Sequence, residues 1–436
     1  MVLYEVQAGG CLQGQLSVPG DKSISHRALL LGAIANGTSS VSGLLQGEDV
    51  RATAEVLRQL GVDIEYAGDV TRIHGVGLHG LQRPAGPLDL GNSGTAVRLL
   101  MGLLAAQSFA STLVGDTSLS RRPMGRVVEP LQRMGASITM SEGDTLPVDI
   151  APVVGLHGAR HDLSIASAQV KSALLLAGLF AKGRTAVHEP AQTRDHTERM
   201  LGGFGYPVIT DGGWVAVDGG GALRGRDVSV PGDLSSAAFF LVGTSITPQS
   251  RIVLPSVGLN PTRSGVISVL REMGASITVA NERVDAGEPV ADLEVRHAPL
   301  HGVAIGKRQV ALTIDELPIL AIAAACAHGT TVVAGAEELR VKESDRIAAT
   351  VSGLRALGVT VEERRDGMVI EGGGGLDGGT IDSYGDHRIA MAFAIAGLAA
   401  RESITVRDCA NVATSFPDFP ELARRAGLRI TVRDVE

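Results

Sequence analysis

Cysteine is scarce in this 436-residue chain: Cys11, Cys326 and Cys409 lie far apart, form no Cys-x-x-Cys pair and are odd in number. A disulfide framework is thereby excluded, and a reducing, cytoplasmic compartment is expected. No stretch approaches the ~18 consecutive apolar residues that a membrane span needs, the run from Ile319 to Ala327 being much shorter. The first Lys or Arg is Lys22, so the basic start of a secretory signal is missing. Positive charge is also in deficit, with 39 Lys and Arg against 47 Asp and Glu, a net charge of −8. A nucleic-acid partner would require a basic face, and none is expected here. The chain contains no Gly-x4-Gly-Lys-Ser/Thr, His-Glu-x2-His or Gly-x-Ser-x-Gly, and its histidines and cysteines lack ligand spacing. Neither an NTPase nor a metal enzyme is indicated, and no metal is expected. Gly-x-Gly-x-x-Gly occurs at Gly75 to Gly80 and at Gly373 to Gly378, but in strand-turn stretches that open no helix. Both read as turns, so no nicotinamide or other cofactor is expected.

Glycine, by contrast, is abundant, with 56 residues. Six of them punctuate a repeat: VLRQLGVDI, PLQRMGASI, MLGGFGYPV, VLREMGASI, GLRALGVTV and LARRAGLRI each end an amphipathic helix on a glycine and start a β-branched strand. These glycines, Gly61, Gly135, Gly205, Gly274, Gly358 and Gly427, are separated by 74, 70, 69, 84 and 69 residues. Such a position suits a residue free to take positive φ at a helix C-terminus. Upstream of each lies a second helix, such as SALLLAGLFAKG from Ser172, that is apolar nearly all round and so belongs in an interior. The implied unit is β-α-β-α-β-β. Ser-Val-Pro-Gly-Asp occurs twice, at Ser17 to Asp21 and Ser229 to Asp233, 212 residues or three periods apart. Read as the two crossings between halves, these pentapeptides make residues 20–230 one domain and 1–19 plus 231–436 a second, discontinuous one.

Polar residues precede each buried helix: Asp21-Lys22-Ser23, Gly91-Asn92-Ser93-Gly94-Thr95, Ser167-Ala168-Gln169, Asp233-Leu234-Ser235-Ser236, Asp315-Glu316 and Gly385-Asp386-His387-Arg388. Each alone reads as an N-cap. Equivalent helices within one domain gather their N-termini, however, and exposed N–H groups and helix dipoles attract phosphate and carboxylate. Lys22, Arg27, Arg98, Arg122, Arg194, Lys342, Arg346 and Arg388 sit at or near those starts. In an acidic protein, that placement favours a site for small anions.

At Lys22-Ser-Ile-Ser-His-Arg27, Gly91-Asn-Ser-Gly-Thr-Ala-Val-Arg98, Arg121-Arg-Pro-Met, Lys342-Glu-Ser-Asp-Arg346 and Asp386-His-Arg-Ile-Ala-Met391 the chain resembles the 3-phosphoshikimate 1-carboxyvinyltransferases, or EPSP synthases. The resemblance covers nearly the whole chain. It implies a two-domain inside-out α/β barrel (EPT/RTPC-like) with six β-α-β-α-β-β repeats, three per domain. The activity implied is transfer of enolpyruvyl from phosphoenolpyruvate to the 5-hydroxyl of shikimate 3-phosphate, by a monomeric, glyphosate-sensitive enzyme of aromatic amino acid biosynthesis. By position, Lys22, Ser23, Arg27, Ser167, Ala168, Gln169, Arg194, Asp315 and Lys342 would hold shikimate 3-phosphate. Lys22, Gly94, Arg122, Gln169, Arg346 and Arg388 would surround phosphoenolpyruvate, with open space expected beside Gly94. Asp315 would be the base toward the 5-hydroxyl, Glu343 the acid toward the methylene carbon, and Lys22 an aid to proton transfer. Domain 20–230 would then carry most shikimate 3-phosphate contacts, the other domain the carboxylates and phosphoenolpyruvate-binding arginines. Taken alone, Asp315 also reads as an N-cap and Glu343 as a first-turn acid. Thr414 replaces a common family Lys, and Ala168 a common Ser. A UDP-N-acetylglucosamine enolpyruvyl transferase is disfavoured, since the stretch Ser111 to Arg126 holds no cysteine. A non-catalytic anion-binding repeat protein is disfavoured by the retained carboxylates.

Overall fold

In the computed structural model, which describes residues 1–285 and 287–435, the chain divides into two compact units. The first unit comprises Met1–Pro19, Pro231–Arg283 and Pro289–Glu436; the second comprises Gly20–Val230 and Val284–Glu288. Two of the breaks, Pro19/Gly20 and Val230/Pro231, fall inside the two Ser-Val-Pro-Gly-Asp copies. Each unit has its own apolar core.

The second unit contains helices α1 (Lys22–Ala33), α2 (Glu48–Gln59), α3 (Gly94–Leu104), α4 (Gly125–Arg133), α5 (Ala168–Gly178) and α6 (His196–Gly203). The first contains α7 (Leu234–Ile246), α8 (Gly265–Glu272), α9 (Lys307–Thr313), α10 (Leu317–Cys326), α11 (Arg346–Ala356), α12 (His387–Ala396) and α13 (Phe419–Ala426). Helices α1, α3, α5, α7, α10 and α12 are apolar on nearly all sides and buried, as their patterning predicts; every residue of α7 is buried. The others keep a charged outer stripe. Helices therefore fill the interior of each unit and the sheets lie outside them.

Among the described residues there are six four-stranded sheets with one shared topology. In the sheet of Leu88–Asp89, Ser111–Val114, Ser137–Ser141 and Thr145–Ala151, the first two strands are parallel, and the fourth lies antiparallel between the second and third. This is the β-α-β-α-β-β unit read from the repeat. Two sheets take their first strand from a distant part of the chain: Gln13–Gln15 pairs parallel with Arg251–Gly258, and Asp227–Ser229 with Asn36–Ser42. A third is closed by Val2–Val6, which lies between Ile404–Arg407 and Ile430–Asp434.

All six repeat glycines have positive φ, from +78° at Gly358 to +121° at Gly427. At Gly427 a side chain is excluded on two counts, because a Cβ would also lie 2.1 Å from the Cys11 carbonyl oxygen. The long interval from Gly274 to Gly358 has two sources: an extended hairpin, Ser276–Asp285 and Glu288–Arg296, and the additional helix α9. Of the two glycine-rich decoys, Gly75 to Gly80 runs from the end of the strand Val70–Val76 into a turn and Gly373 to Gly378 lies between strands; neither opens a helix. Among the described residues, no single helix is long and apolar enough to cross a membrane.

Candidate active site

In the second unit the N-terminal turns of α1, α3 and α5 carry the polar residues singled out above. Three side chains cap them: Asp21 accepts from the Ile24 N–H, Ser93 from Ala96 and Ser167 from Val170. The turns of α3 and α5 are tied together, since Gln169 donates to Thr95 Oγ1 at 3.0 Å and accepts from Arg98 Nη1 at 2.9 Å.

Lys22, the first residue of α1, places Nζ 2.9 Å from Asp49 Oδ2 on α2. Asp49 was not identified from the sequence, because a Gly-Glu-Asp helix start suffices to explain an acid in a first turn. Arg27, one turn beyond Ser23, is buried and donates to the Ser23 carbonyl, Thr197 Oγ1 and Ser172 Oγ. All three acceptors are neutral. Burial lowers its pKa to about 10 against the opposing pull of Glu198 and Asp21, with nearby Arg194 adding to the depression. His26 is driven well below its ordinary pKa by burial, then by Lys22 and Arg27. The neutral ring links Thr53 Oγ1 at 2.8 Å to Ser93 Oγ at 3.4 Å, which fixes the cap beside Gly94.

Beside Gly94 the structure corrects the expectation of open space: a Cβ there would lie 2.9 Å from Arg98 Nη1 and 3.0 Å from Arg122 Nη1. Two guanidinium tips hold that volume. Arg122 in turn is oriented by Asn92 Oδ1 at 2.7 Å and Ser118 Oγ at 3.3 Å. Ala168 is simply the first residue of α5, and the Ser167 N–H donates to Glu189 Oε1 at 3.2 Å. Arg194 lies in the segment leading into α6.

In the first unit Asp315, Lys342, Glu343, Arg346 and Arg388 come together around one buried guanidinium. Arg346 donates from Nε to Asp386 Oδ2 at 2.7 Å, from Nη2 to Glu343 Oε2 at 2.6 Å and from Nη1 to Asp315 Oδ1 at 3.3 Å. Lys342 Nζ is 3.9 Å from Asp315 Oδ1, and Arg388 Nη2 is 3.8 Å from Asp315 Oδ2. Arg388 Nη1 also donates to the Asp315 carbonyl at 2.8 Å. Burial disfavours the Arg346 charge, but Asp386, then Glu343 and Asp315, outweigh it and hold the pKa above its ordinary value.

Both modest readings of the two carboxylates fail here. The N-cap of α10 is Glu316, which makes no side-chain capping bond, and Asp315 turns instead to cations. Glu343 precedes α11 altogether, whose cap is Asp345. Exposure separates the three acids around Arg346: Asp386 is 0% accessible, whereas Asp315 and Glu343 keep 13% and 22%. Of the three, only the latter two are partly open to solvent. Asp386 caps α12 through the Arg388 N–H and anchors Arg346. Thr414 is buried, and its hydroxyl donates to the Asn411 carbonyl.

The family model for EPSP synthase (3-phosphoshikimate 1-carboxyvinyltransferase) matches residues 6–422. A 3-phosphoshikimate 1-carboxyvinyltransferase of Alkalilimnicola ehrlichii is 60% identical over 435 residues, 99% of this chain and 97% of that one. One from Methylococcus capsulatus is 58% identical over 432 residues, 99% of each. The solved EPSP synthase of Acinetobacter baumannii is 51% identical with a TM-score of 0.90, covering 100% of both chains. The enolpyruvyl transferase NikO from Streptomyces tendae, 18% identical with a TM-score of 0.82, covers 100% of this chain and 99% of its own and is alike in fold alone.

Proposed function

Because this chain belongs to the EPSP synthase family, we propose that Asp315, Glu343 and Lys22 carry the proton transfers by which it moves enolpyruvyl from phosphoenolpyruvate to shikimate 3-phosphate. The activity is that of a 3-phosphoshikimate 1-carboxyvinyltransferase of the shikimate pathway. The observation that carries the assignment is the convergence of Asp315 and Glu343, the two partly accessible acids, on Arg346.

The reaction joins the 5-hydroxyl oxygen of shikimate 3-phosphate to C2 of phosphoenolpyruvate while the methylene carbon gains a proton. Loss of a proton from the resulting methyl group then expels phosphate and restores the double bond. Asp315 accepts the hydroxyl proton, and the cations Lys342, Arg346 and Arg388 beside it fix where its carboxylate oxygens sit. Glu343 delivers the proton to the methylene carbon and recovers one in the second step. Its contact with Arg346 fixes where the carboxyl oxygen sits. Lys22 supports departure of phosphate.

In this reading Lys22, Ser23, Arg27, Ser167, Ala168, Gln169 and Arg194, with Asp315 and Lys342, take shikimate 3-phosphate. Lys22, Gly94, Arg122, Gln169, Arg346 and Arg388 take phosphoenolpyruvate. The hydrogen bonds of Arg27 support its part, since all three go to neutral acceptors and none to a carboxylate. The domain of residues 20–230 supplies most shikimate 3-phosphate contacts. Steady-state kinetics test this division. Arg194→Ala and Ser167→Ala are expected to raise KM for shikimate 3-phosphate about tenfold or more, with KM for phosphoenolpyruvate within about threefold. Gly94→Ala, which must displace the Arg98 and Arg122 tips, is expected to do the converse. Equal effects on both substrates would overturn the division. The three free thiols fit a cytoplasmic enzyme, and a monomer is the assembly to which light scattering should assign the chain.

A further inference from the structure

The second unit contains a buried charge cluster to which the reaction assigns no step. Lys171, on α5, places Nζ 2.8 Å from Glu189 Oε2 and 2.8 Å from Glu198 Oε1. The three side chains are 3%, 8% and 9% accessible. Burial opposes the Lys171 charge, yet Glu198 and Glu189 outweigh it and hold the ammonium above its ordinary pKa. Stability alone is a weak reason for such a cluster, because apolar side chains of similar volume commonly serve a core as well as or better than buried ions.

What distinguishes the cluster is where its remaining atoms go. Glu189 Oε1 accepts the Ser167 N–H at 3.2 Å, and the Thr193 hydroxyl donates to the same carboxylate at 2.6 Å. Ser167 caps α5, and Thr193 immediately precedes Arg194. Glu198 lies in the first turn of α6 beside Thr197, whose hydroxyl receives Arg27 Nε at 2.7 Å and donates to Ser172. One ammonium thus ties the start of α5, the segment before α6 and the first turn of α6 to one another. Residues assigned to shikimate 3-phosphate stand on two of these three elements.

We propose that Glu189, fixed by Lys171, is a positioning residue that sets Ser167 and Arg194 for shikimate 3-phosphate without touching the substrate. The proposal rests on the assignment of Ser167 and Arg194 to that substrate. A carboxylate can satisfy the ammonium on one side and the Ser167 N–H on the other. A glutamine can turn its single carbonyl oxygen to only one of them, and its NH2 then faces another donor. Glu189→Gln leaves Lys171 and Glu198 paired one to one, so no buried charge is orphaned.

Glu189→Gln is expected to raise KM for shikimate 3-phosphate about tenfold, the scale of one lost charge-assisted hydrogen bond, with KM for phosphoenolpyruvate and kcat within about twofold. Thr193→Val, which cuts one tie and alters no charge, is expected to raise the same KM about threefold and serves if Glu189→Gln does not fold. A purely structural role would lower the folded fraction or the melting temperature but would leave the KM for one substrate alone. An unchanged KM for shikimate 3-phosphate in both variants, or equal rises for both substrates, overturns the proposal. Ser167→Ala and Arg194→Ala, measured alongside, separate the two failures. If they too leave that KM unchanged, the substrate assignment is at fault; if they raise it while Glu189→Gln and Thr193→Val do not, the positioning role is.

Discussion

Glu343→Gln is expected to lower kcat by about two to four orders of magnitude, the range associated with losing a general acid. Glutamine keeps an oxygen for Arg346 Nη2, so the 2.6 Å contact and the local packing survive while the transferable proton does not. The KM values should change by no more than a few-fold. Asp315→Asn should cause a loss of similar size for the same reason, since its Oδ1 can still accept from Arg346 Nη1. The two losses need not add, because both residues serve one reaction sequence and share one guanidinium. Near-normal turnover in both variants would show that the protons travel elsewhere.

The second large effect is on stability. Arg346→Met is expected to destabilise the protein by about 3–5 kcal/mol, the usual cost of stripping one partner from a buried ion cluster. Arg346 is 1% accessible and Asp386 is 0% accessible, so water cannot replace the lost guanidinium. Three carboxylates, Asp315, Glu343 and Asp386, would then face one another, with the Lys342 and Arg388 side chains beside Asp315. For a unit of this size the melting temperature should fall by about 10 °C, as scanning calorimetry would read it. Arg346→Lys should recover part of the loss, because a point charge can serve fewer acceptors than a planar fork. A melting temperature unchanged by Arg346→Met would mean that the acids are held apart by other means.

The repeat was legible because its physical demands are local. A helix that ends in a tight turn into a strand wants positive φ at one position, and glycine stood there six times at nearly constant spacing. The buried helices were legible because a sequence such as LPILAIAAAC has no face to offer water. The added helix α9 was not, since KRQVALT is short and mixed in polarity within a longer interval.

The residues of the candidate site could be named from the sequence, but their pairings could not. Asp386 has a sufficient local reason to exist as a cap, which hid its bond to Arg346, 40 residues earlier. Asp49 was hidden in the same way at the start of α2, where it receives Lys22. Lys171 offered no signal at all, because Glu189 and Glu198 reach it from 18 and 27 positions away across a change of element. Contacts of that kind depend on tertiary packing, which a periodicity does not report. Motif resemblance supplied the residue types at the candidate site; the side-chain geometry supplied the reason for proposing Asp315 and Glu343, and not Asp386, as the acids of the reaction.

Phosphate release is the most direct measure of the whole account. Purified protein should release inorganic phosphate from phosphoenolpyruvate only when shikimate 3-phosphate is also present, in equal amount with the enolpyruvyl product. Release from phosphoenolpyruvate alone, or release stimulated by UDP-N-acetylglucosamine in place of shikimate 3-phosphate, would contradict it.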